Sequence, residues 1–142
     1  MSQSYLPIKG MPDLASPEVE VWQFIESTAH TVLQRYGLKE VRTPIVERLE
    51  TFVRAVGDST DIVQKEMYAF KRGDTPLALR PEGTAGVLRY VAGAGPGAAD
   101  ARVYYMGPMF RAERMQKGRY RQFSQLGVEI IGAANPLADV EV

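Results

Sequence analysis

Residues 106–129, M-G-P-M-F-R-A-E-R-M-Q-K-G-R-Y-R-Q-F-S-Q-L-G-V-E, limit the fold most, because they set a knot of positive charge between two β-prone runs. From Arg111 to Arg121, four arginines (Arg111, Arg114, Arg119, Arg121) and Lys117 stand against one acid, Glu113. That is a formal +4 in a chain whose seventeen basic and seventeen acidic residues cancel. Charges held so close repel one another, and a polyanion such as a phosphate chain or a nucleic-acid backbone would offset the repulsion. Before the knot comes Val103-Tyr104-Tyr105-Met106 and after it the apolar run from Phe123 to Ile131, both rich in β-formers. The pattern predicts a hairpin with its tip at Gln116-Lys117-Gly118-Arg119. Side chains alternate along a strand, so Arg111 and Glu113 share one face of the incoming arm, and Arg121, Phe123 and Gln125 share one face of the outgoing arm. Charge alone leaves two readings open. The tip is a solvated edge guarded by cations, or it is an arginine fork beside an aromatic ring, suited to phosphate oxygens and a flat base.

The 142 residues, 45% of them hydrophobic, fit one domain with a real core. The absence of cysteine excludes disulfides, thiolate catalysis and cysteine-type zinc sites, and agrees with a reducing, cytoplasmic setting. The first ten residues lack a charged start followed by an apolar block, so no secretory signal is expected. No apolar run approaches the ~20 residues that cross a bilayer, so no membrane partner is expected.

Residues 1–15 read as an irregular lead-in punctuated by Pro7, Gly10 and Pro12. Ser16-Pro17-Glu18 predicts a helix start, with a hydroxyl cap, a proline whose missing N–H costs nothing and an acid at the positive end of the dipole. Val19, Trp22, Ile25, Ala29, Val32, Leu33 and Tyr36 then form one apolar stripe, so the helix should cover residues 17–36 and stop at Gly37. His30, the only histidine, has no second imidazole or cysteine with which to bind a metal. Residues 38–46 read as a strand with Pro44 at an edge or bend, and residues 49–56 as a short helix closed by Gly57. Residues 58–61 read as a turn or mobile loop. Residues 66–71 and 77–80 predict a second hairpin around Arg72-Gly73-Asp74-Thr75. After it, Arg80-Pro81-Glu82-Gly83-Thr84-Ala85-Gly86 ends the strand and opens a helix to about residue 91; on the residues alone this is a capping turn, with Glu82 near a helix N-terminus. Residues 92–101 form a Gly/Ala/Pro-rich connection, and residues 136–142 read as the opening of a helix.

Three of these stretches carry a resemblance to a known family. Phe-Arg-Ala-Glu, a basic loop, then Arg-Gln-Phe two positions before Gln125 resembles motif 2 of class II aminoacyl-tRNA synthetases, and Q-K-G-R-Y-R-Q-F resembles the histidyl-tRNA synthetase form of it. R-P-E-G-T-A-G resembles the loop by which that family holds the amino group of histidine. The long helix followed by the strand with Pro44 resembles motif 1, which implies a homodimer with Trp22 and the region around Pro44 facing a second subunit.

The resemblance implies an α+β fold, a class II synthetase-like antiparallel sheet flanked by helices, and activation of histidine by ATP with Mg2+ before transfer to tRNA(His). Arg111 is then the catalytic arginine that grips the α-phosphate. Glu113 lies toward the adenine end of ATP, Phe123 stacks on adenine and Arg121 is a further candidate for phosphate. Glu82 and Thr84 would hold the histidine ammonium group, which wants acceptors, and Gln125 and Glu129, four apart on one strand, would line the side-chain pocket with Arg111 nearby. Arg114, Lys117 and Arg119 would touch tRNA. By the same resemblance residues 1–142 make up a truncated, partial catalytic domain, with motif 3 and the anticodon-binding domain absent. Two other classes remain open: a non-catalytic regulatory paralogue of histidine biosynthesis with the same fold, and a stand-alone dimerisation or tRNA-binding module.

Overall fold

The computed structural model describes residues 5–57, 60, 62–95, 100–133 and 135–142. Residues 58, 59 and 61 of the expected turn and residues 96–99 of the Gly/Ala/Pro-rich connection lie outside the described residues.

Helix α1 spans Glu18–Arg35, close to the expected bounds. Ser16 does not cap it. Pro17 holds the N-cap position with no side-chain bond, and the first free amides, of Glu18 and Val19, donate to Ala15 O at 3.0 and 3.1 Å. A backbone carbonyl thus does the work that a hydroxyl was expected to do. The apolar stripe also divides. Val19, Trp22, Ala29 and Leu33 are half-buried, whereas Ile25, Val32 and Tyr36 join Val21 and Phe24 on an exposed flank, Phe24 being 71% exposed. On the inner side, His30 Nδ1 lies 2.7 Å from the Tyr104 hydroxyl with the rings edge to face, so the histidine has a structural partner.

The strand expected over residues 38–46 is in fact split between two sheets. β1 (Lys39–Glu40) runs parallel to β5 (Arg102–Phe110), with Lys39 opposite Val103. β2 (Val46–Arg48) pairs antiparallel with β4 (Thr75–Leu79). Pro44, which has no N–H to give a ladder, lies in the passage from one sheet to the other. The first sheet has the order β1-β5-β6, where β6 is Gln122–Ile130; the second has the order β2-β4-β3, where β3 is Ala69–Arg72.

Both hairpins form where the sequence predicts them. β3 and β4 meet with Arg72 opposite Thr75 across Gly73 and Asp74, and Gly73 has φ +59°, a left-handed turn conformation that glycine adopts without strain. β5 and β6 pair over nine residues from Arg102–Ile130 to Phe110–Gln122, and the Arg111 amide extends the ladder to Arg121 O at 2.8 Å. Helix α2 (Leu49–Val56) ends at Gly57 as expected, a single π-helical turn covers Ile62–Glu66, α3 covers Thr84–Gly93 and α4 covers Leu137–Glu141. The fold is α+β, with antiparallel pairing dominant and one parallel contact that no local pattern announces.

Helix α3 serves two clusters of buried residues. Its Val87 packs with Val103, Tyr105 and Met109 of β5, while its Ala85 packs with Phe52 of α2 and Ala78 of β4. The first turn of α3 is therefore wedged between the sheets. Phe52 is fully buried, and Phe52→Ala should lower unfolding stability by about 3–5 kcal/mol in chemical denaturation; a change below about 1 kcal/mol would show that this second cluster contributes little.

Candidate functional site

The β5–β6 register places Phe123, Gln125, Gly127 and Glu129 opposite Met109, Gly107, Tyr105 and Val103, and these eight share one face of the sheet. The turn at residues 80–84 lies against that face. Phe110 N donates to Arg80 O at 3.0 Å, Arg111 Nε to Pro81 O at 2.8 Å and Thr84 Oγ1 to Glu129 Oε1 at 2.7 Å.

The approach is close because glycines allow it. A Cβ on Gly83 would fall 2.1 Å from the Tyr105 ring, and one on Gly127 would fall 2.3 Å from its hydroxyl oxygen. Tyr105 thus fills a slot between the turn and β6. Burial pushes its hydroxyl above the ordinary tyrosine range; a hydrogen bond shared with Thr84 opposes the rise, and the charges of Glu129 and Glu82 add to it.

Glu82 caps α3. Its Oε2 accepts from the Thr84 amide at 2.6 Å and its Oε1 from the Ala85 amide at 2.8 Å. A carboxylate offers about four acceptor positions, so this capping leaves room for a further donor. Gln125 Oε1 is buried with no hydrogen-bond partner among the described residues. Such an acceptor is costly unless something supplies a donor.

Arg111 joins this polar group to a second compartment. Its guanidinium carbon stands 5.1 Å from the centre of the Phe123 ring, and its Nη1 lies 3.7 Å from Glu113 Oε1. Glu113 Oε2 faces Arg119 Nη1 at 3.0 Å. That contact has ion-pair distance without hydrogen-bond alignment, since the buried Oε2 has no hydrogen-bond partner. Arg111, Glu113, Arg119 and Phe123, together with Pro12 and Trp22, line an open cavity of about 630 Å³. The cavity wraps the free edge of β6, because Gln122 and Ser124, of opposite parity to Phe123, also line it. Glu82, Thr84, Gln125 and Glu129 lie outside its lining, on the same sheet face beyond Arg111.

Arg121 points elsewhere. Its Nε donates to Glu113 O at 3.3 Å and its Nη1 to Lys9 O at 3.4 Å, while the amides of Arg121 and Gln122 both donate to Gly10 O at 2.8 and 3.0 Å. It ties the lead-in to the hairpin and does not line the cavity. Arg114, Lys117 and Arg119 are exposed at the tip, where Gly118, at φ +77°, closes the turn. Among the described residues, no three His, Asp or Glu side chains gather into a metal-binding group. No helix among them is long and apolar enough to cross a membrane. Sequence reasoning missed Tyr105, Arg80 and Gly10 as parts of this site. Gly83 and Gly127 were the available signal for Tyr105, since each marks a place where another group comes close.

The histidyl-tRNA synthetase family model matches residues 10–142. The histidine–tRNA ligase of Trichlorobacter lovleyi is 56% identical over 138 residues, covering 95% of this chain and 33% of that protein. The ligase of Staphylococcus epidermidis is 54% identical over 138 residues, covering 94% and 32%. Among solved structures, apo histidyl-tRNA synthetase of S. aureus superposes with TM-score 0.77 at 37% identity, over 96% of this chain and 31% of that one. A Bacillus halodurans protein named an ATP phosphoribosyltransferase regulatory subunit/histidyl-tRNA synthetase gives TM-score 0.83 at 28% identity, over 100% and 36%. The chain spans about a third of the length of the curated relatives it matches. With its α+β fold, its matched residues and these identities, it belongs to the histidyl-tRNA synthetase family.

Proposed function

We propose that the chain is part of the catalytic domain of a cytoplasmic histidine–tRNA ligase, which joins histidine to tRNA(His) by way of histidyl-adenylate. The observation that carries this reading is the position of Arg111. Its guanidinium stands beside Phe123 in the 630 Å³ cavity, while its Nε is bonded to the turn that carries Glu82 and Thr84. A nucleotide in the cavity and an amino acid at the turn would meet at this one side chain.

In the first step a carboxylate oxygen of histidine attacks the α-phosphorus of ATP, and the bond from that phosphorus to the pyrophosphate oxygen breaks. In the second the terminal adenosine hydroxyl of tRNA attacks the histidyl carbonyl and releases AMP. Such chemistry asks a protein for alignment and charge stabilisation. Arg111 grips the α-phosphoryl oxygens, Phe123 stacks on adenine and Glu113 takes the exocyclic amine of adenine. Arg121, bound to Lys9 O and Glu113 O, acts on the phosphates only if those bonds exchange for them. Magnesium usually takes only one or two carboxylates beside substrate phosphates, so it is expected to arrive with the nucleotide, with Glu113 the carboxylate nearest the cavity that could share in holding it.

Histidine sits over Thr84, Gln125 and Glu129. Glu82 and Thr84 accept from its ammonium group, Gln125 Oε1 gains the donor it lacks, and Glu129, already oriented by Thr84, accepts an imidazole N–H. An apolar cavity separates analogues by only ~1–3 kcal/mol, whereas acceptors left unpaired by the wrong amino acid reject it more strongly. The exposed tip cations Arg114, Lys117 and Arg119 contact the tRNA backbone, fixing position more than sequence. Trp22, expected to face a second subunit, is half-buried and lines the cavity instead. The face we assign to a homodimer is the exposed flank of α1 with Val21, Phe24 and Ile25, together with the region around Pro44.

The likeness to the Bacillus halodurans protein favours a second reading, a regulatory paralogue without adenylation. Histidine-dependent ATP–pyrophosphate exchange by the protein as its host makes it separates the two: exchange supports the ligase, and its absence supports the paralogue. Glu129→Ala should cut that exchange about 10²-fold or more while ATP binding stays within twofold; equal losses in both would remove Glu129 from the amino-acid pocket. Arg111→Ala should lower exchange by about 10²–10³-fold with an unchanged circular dichroism spectrum, and near-normal turnover would refute its role.

A further inference from the structure

Arg80 is the one charged residue among the buried side chains of the described residues, at 7% exposure. No described ion pair includes it. Its partners are neutral oxygens: Nε donates to Pro108 O at 2.9 Å, and Nη1 donates to Thr43 O at 2.8 Å and to Thr43 Oγ1 at 3.3 Å. Nη2 lies over Gly107, where a Cβ would come within 2.6 Å of it. The backbone of the same residue is equally engaged, with Arg80 N donating to Ile45 O at 2.9 Å and Arg80 O accepting from Phe110 N at 3.0 Å.

Burying a cation without an anion is expensive, and burial pulls this guanidinium below the ordinary arginine range. An apolar residue would fill the same volume without that cost. What an apolar residue could not do is tie three separate segments: the passage between the sheets at Thr43, the end of β4 and the hairpin strand at Gly107 and Pro108. These bonds converge one residue before Pro81, whose carbonyl receives Arg111 Nε.

We propose that Arg80 is a positioning residue: its guanidinium fork locks the turn at residues 80–84 to β5 and to Thr43, and through Pro81 O it sets where Arg111 points. The kinetic part of this inference rests on the adenylation reading above; the structural part does not. Lysine keeps the charge but is a point donor on a flexible stem, so it cannot hold Pro108 O and Thr43 O together in a planar fork.

Two readouts test it in the protein as its host makes it. In Arg80→Lys, residue-resolved amide hydrogen exchange should quicken at least tenfold at Phe110 and Ala85 and stay unchanged within α1. Exchange kinetics, per folded molecule and well below the melting temperature, should show kcat reduced by roughly ten- to hundredfold with KM for ATP within twofold. Unchanged protection at Phe110 and Ala85 would overturn the lock, whether or not the parent is active. Changed protection with unchanged kcat would overturn its link to Arg111, even if the melting temperature fell. Absence of histidine-dependent turnover in the parent would instead sink the adenylation reading and leave the hydrogen-exchange result to decide the lock. Should Arg80→Lys fail to fold, Thr43→Ala, which removes the 3.3 Å hydroxyl contact without placing new bulk against Gly86, should quicken the same two amides severalfold; no change there overturns the proposal.

Discussion

Everything at the site depends on how closely the turn at residues 80–84 can approach the β5–β6 sheet. Gly83 on the turn and Gly127 on β6 leave a slot one aromatic ring thick, and Tyr105 fills it. A side chain at either glycine would hold the two surfaces apart. With the slot filled, Thr84 reaches Glu129, Arg111 reaches Pro81 O and α3 starts against the sheet with Glu82 as its cap. The packing of one tyrosine thereby determines which polar atoms face each other, and the buried core on one side of Tyr105 is continuous with the polar group on the other.

The repulsion within the basic hairpin is relieved locally only around Arg111 and Arg119, and the tip keeps its positive excess. Glu113, the single acid in that stretch, stands between Arg111 and Arg119 and draws on both. Its partly satisfied carboxylate makes this an exchangeable arrangement: an incoming phosphate could take over the arginines, since charge-assisted bonds to phosphate are stronger and bidentate. Arg121 is spent differently. Its bonds to Lys9 O and Glu113 O pin the lead-in across the end of β6, and Pro12 and Trp22 then wall the cavity.

Much of this fold was legible before any coordinates. The 3.6-residue stripe of α1, the glycine stops at Gly37 and Gly57, and the alternation flanking two turn-forming segments are local signals, and local signals gave the helices and both hairpins. Non-local choices were not legible. Nothing in residues 38–46 says that Lys39 will pair in parallel with Val103 while Val46 joins another sheet, because that depends on where β5 and β4 lie. The division of the α1 stripe is of the same kind: periodicity identifies apolar positions but not how many of them this chain covers. At the site, strand parity correctly put Phe123, Gln125 and Glu129 on one face, and Arg121 escaped the pattern because, at the very end of the ladder, its guanidinium is held by Glu113 O and Lys9 O. Arg80 was hidden for a different reason, since its role consists of bonds to backbone carbonyls, which no side-chain pattern records.

The central claim is that the cavity beside Phe123 and the polar group around Glu129 are two halves of one site joined at Arg111. The most direct measurement is a crystal structure of the protein with a non-hydrolysable histidyl-adenylate analogue. The account predicts the adenine against Phe123, the phosphate mimic on the Arg111 guanidinium and an imidazole nitrogen within hydrogen-bond distance of Glu129. An analogue bound with its adenine or its imidazole away from these residues, and with the Arg111 and Thr84–Glu129 contacts unchanged, would contradict it.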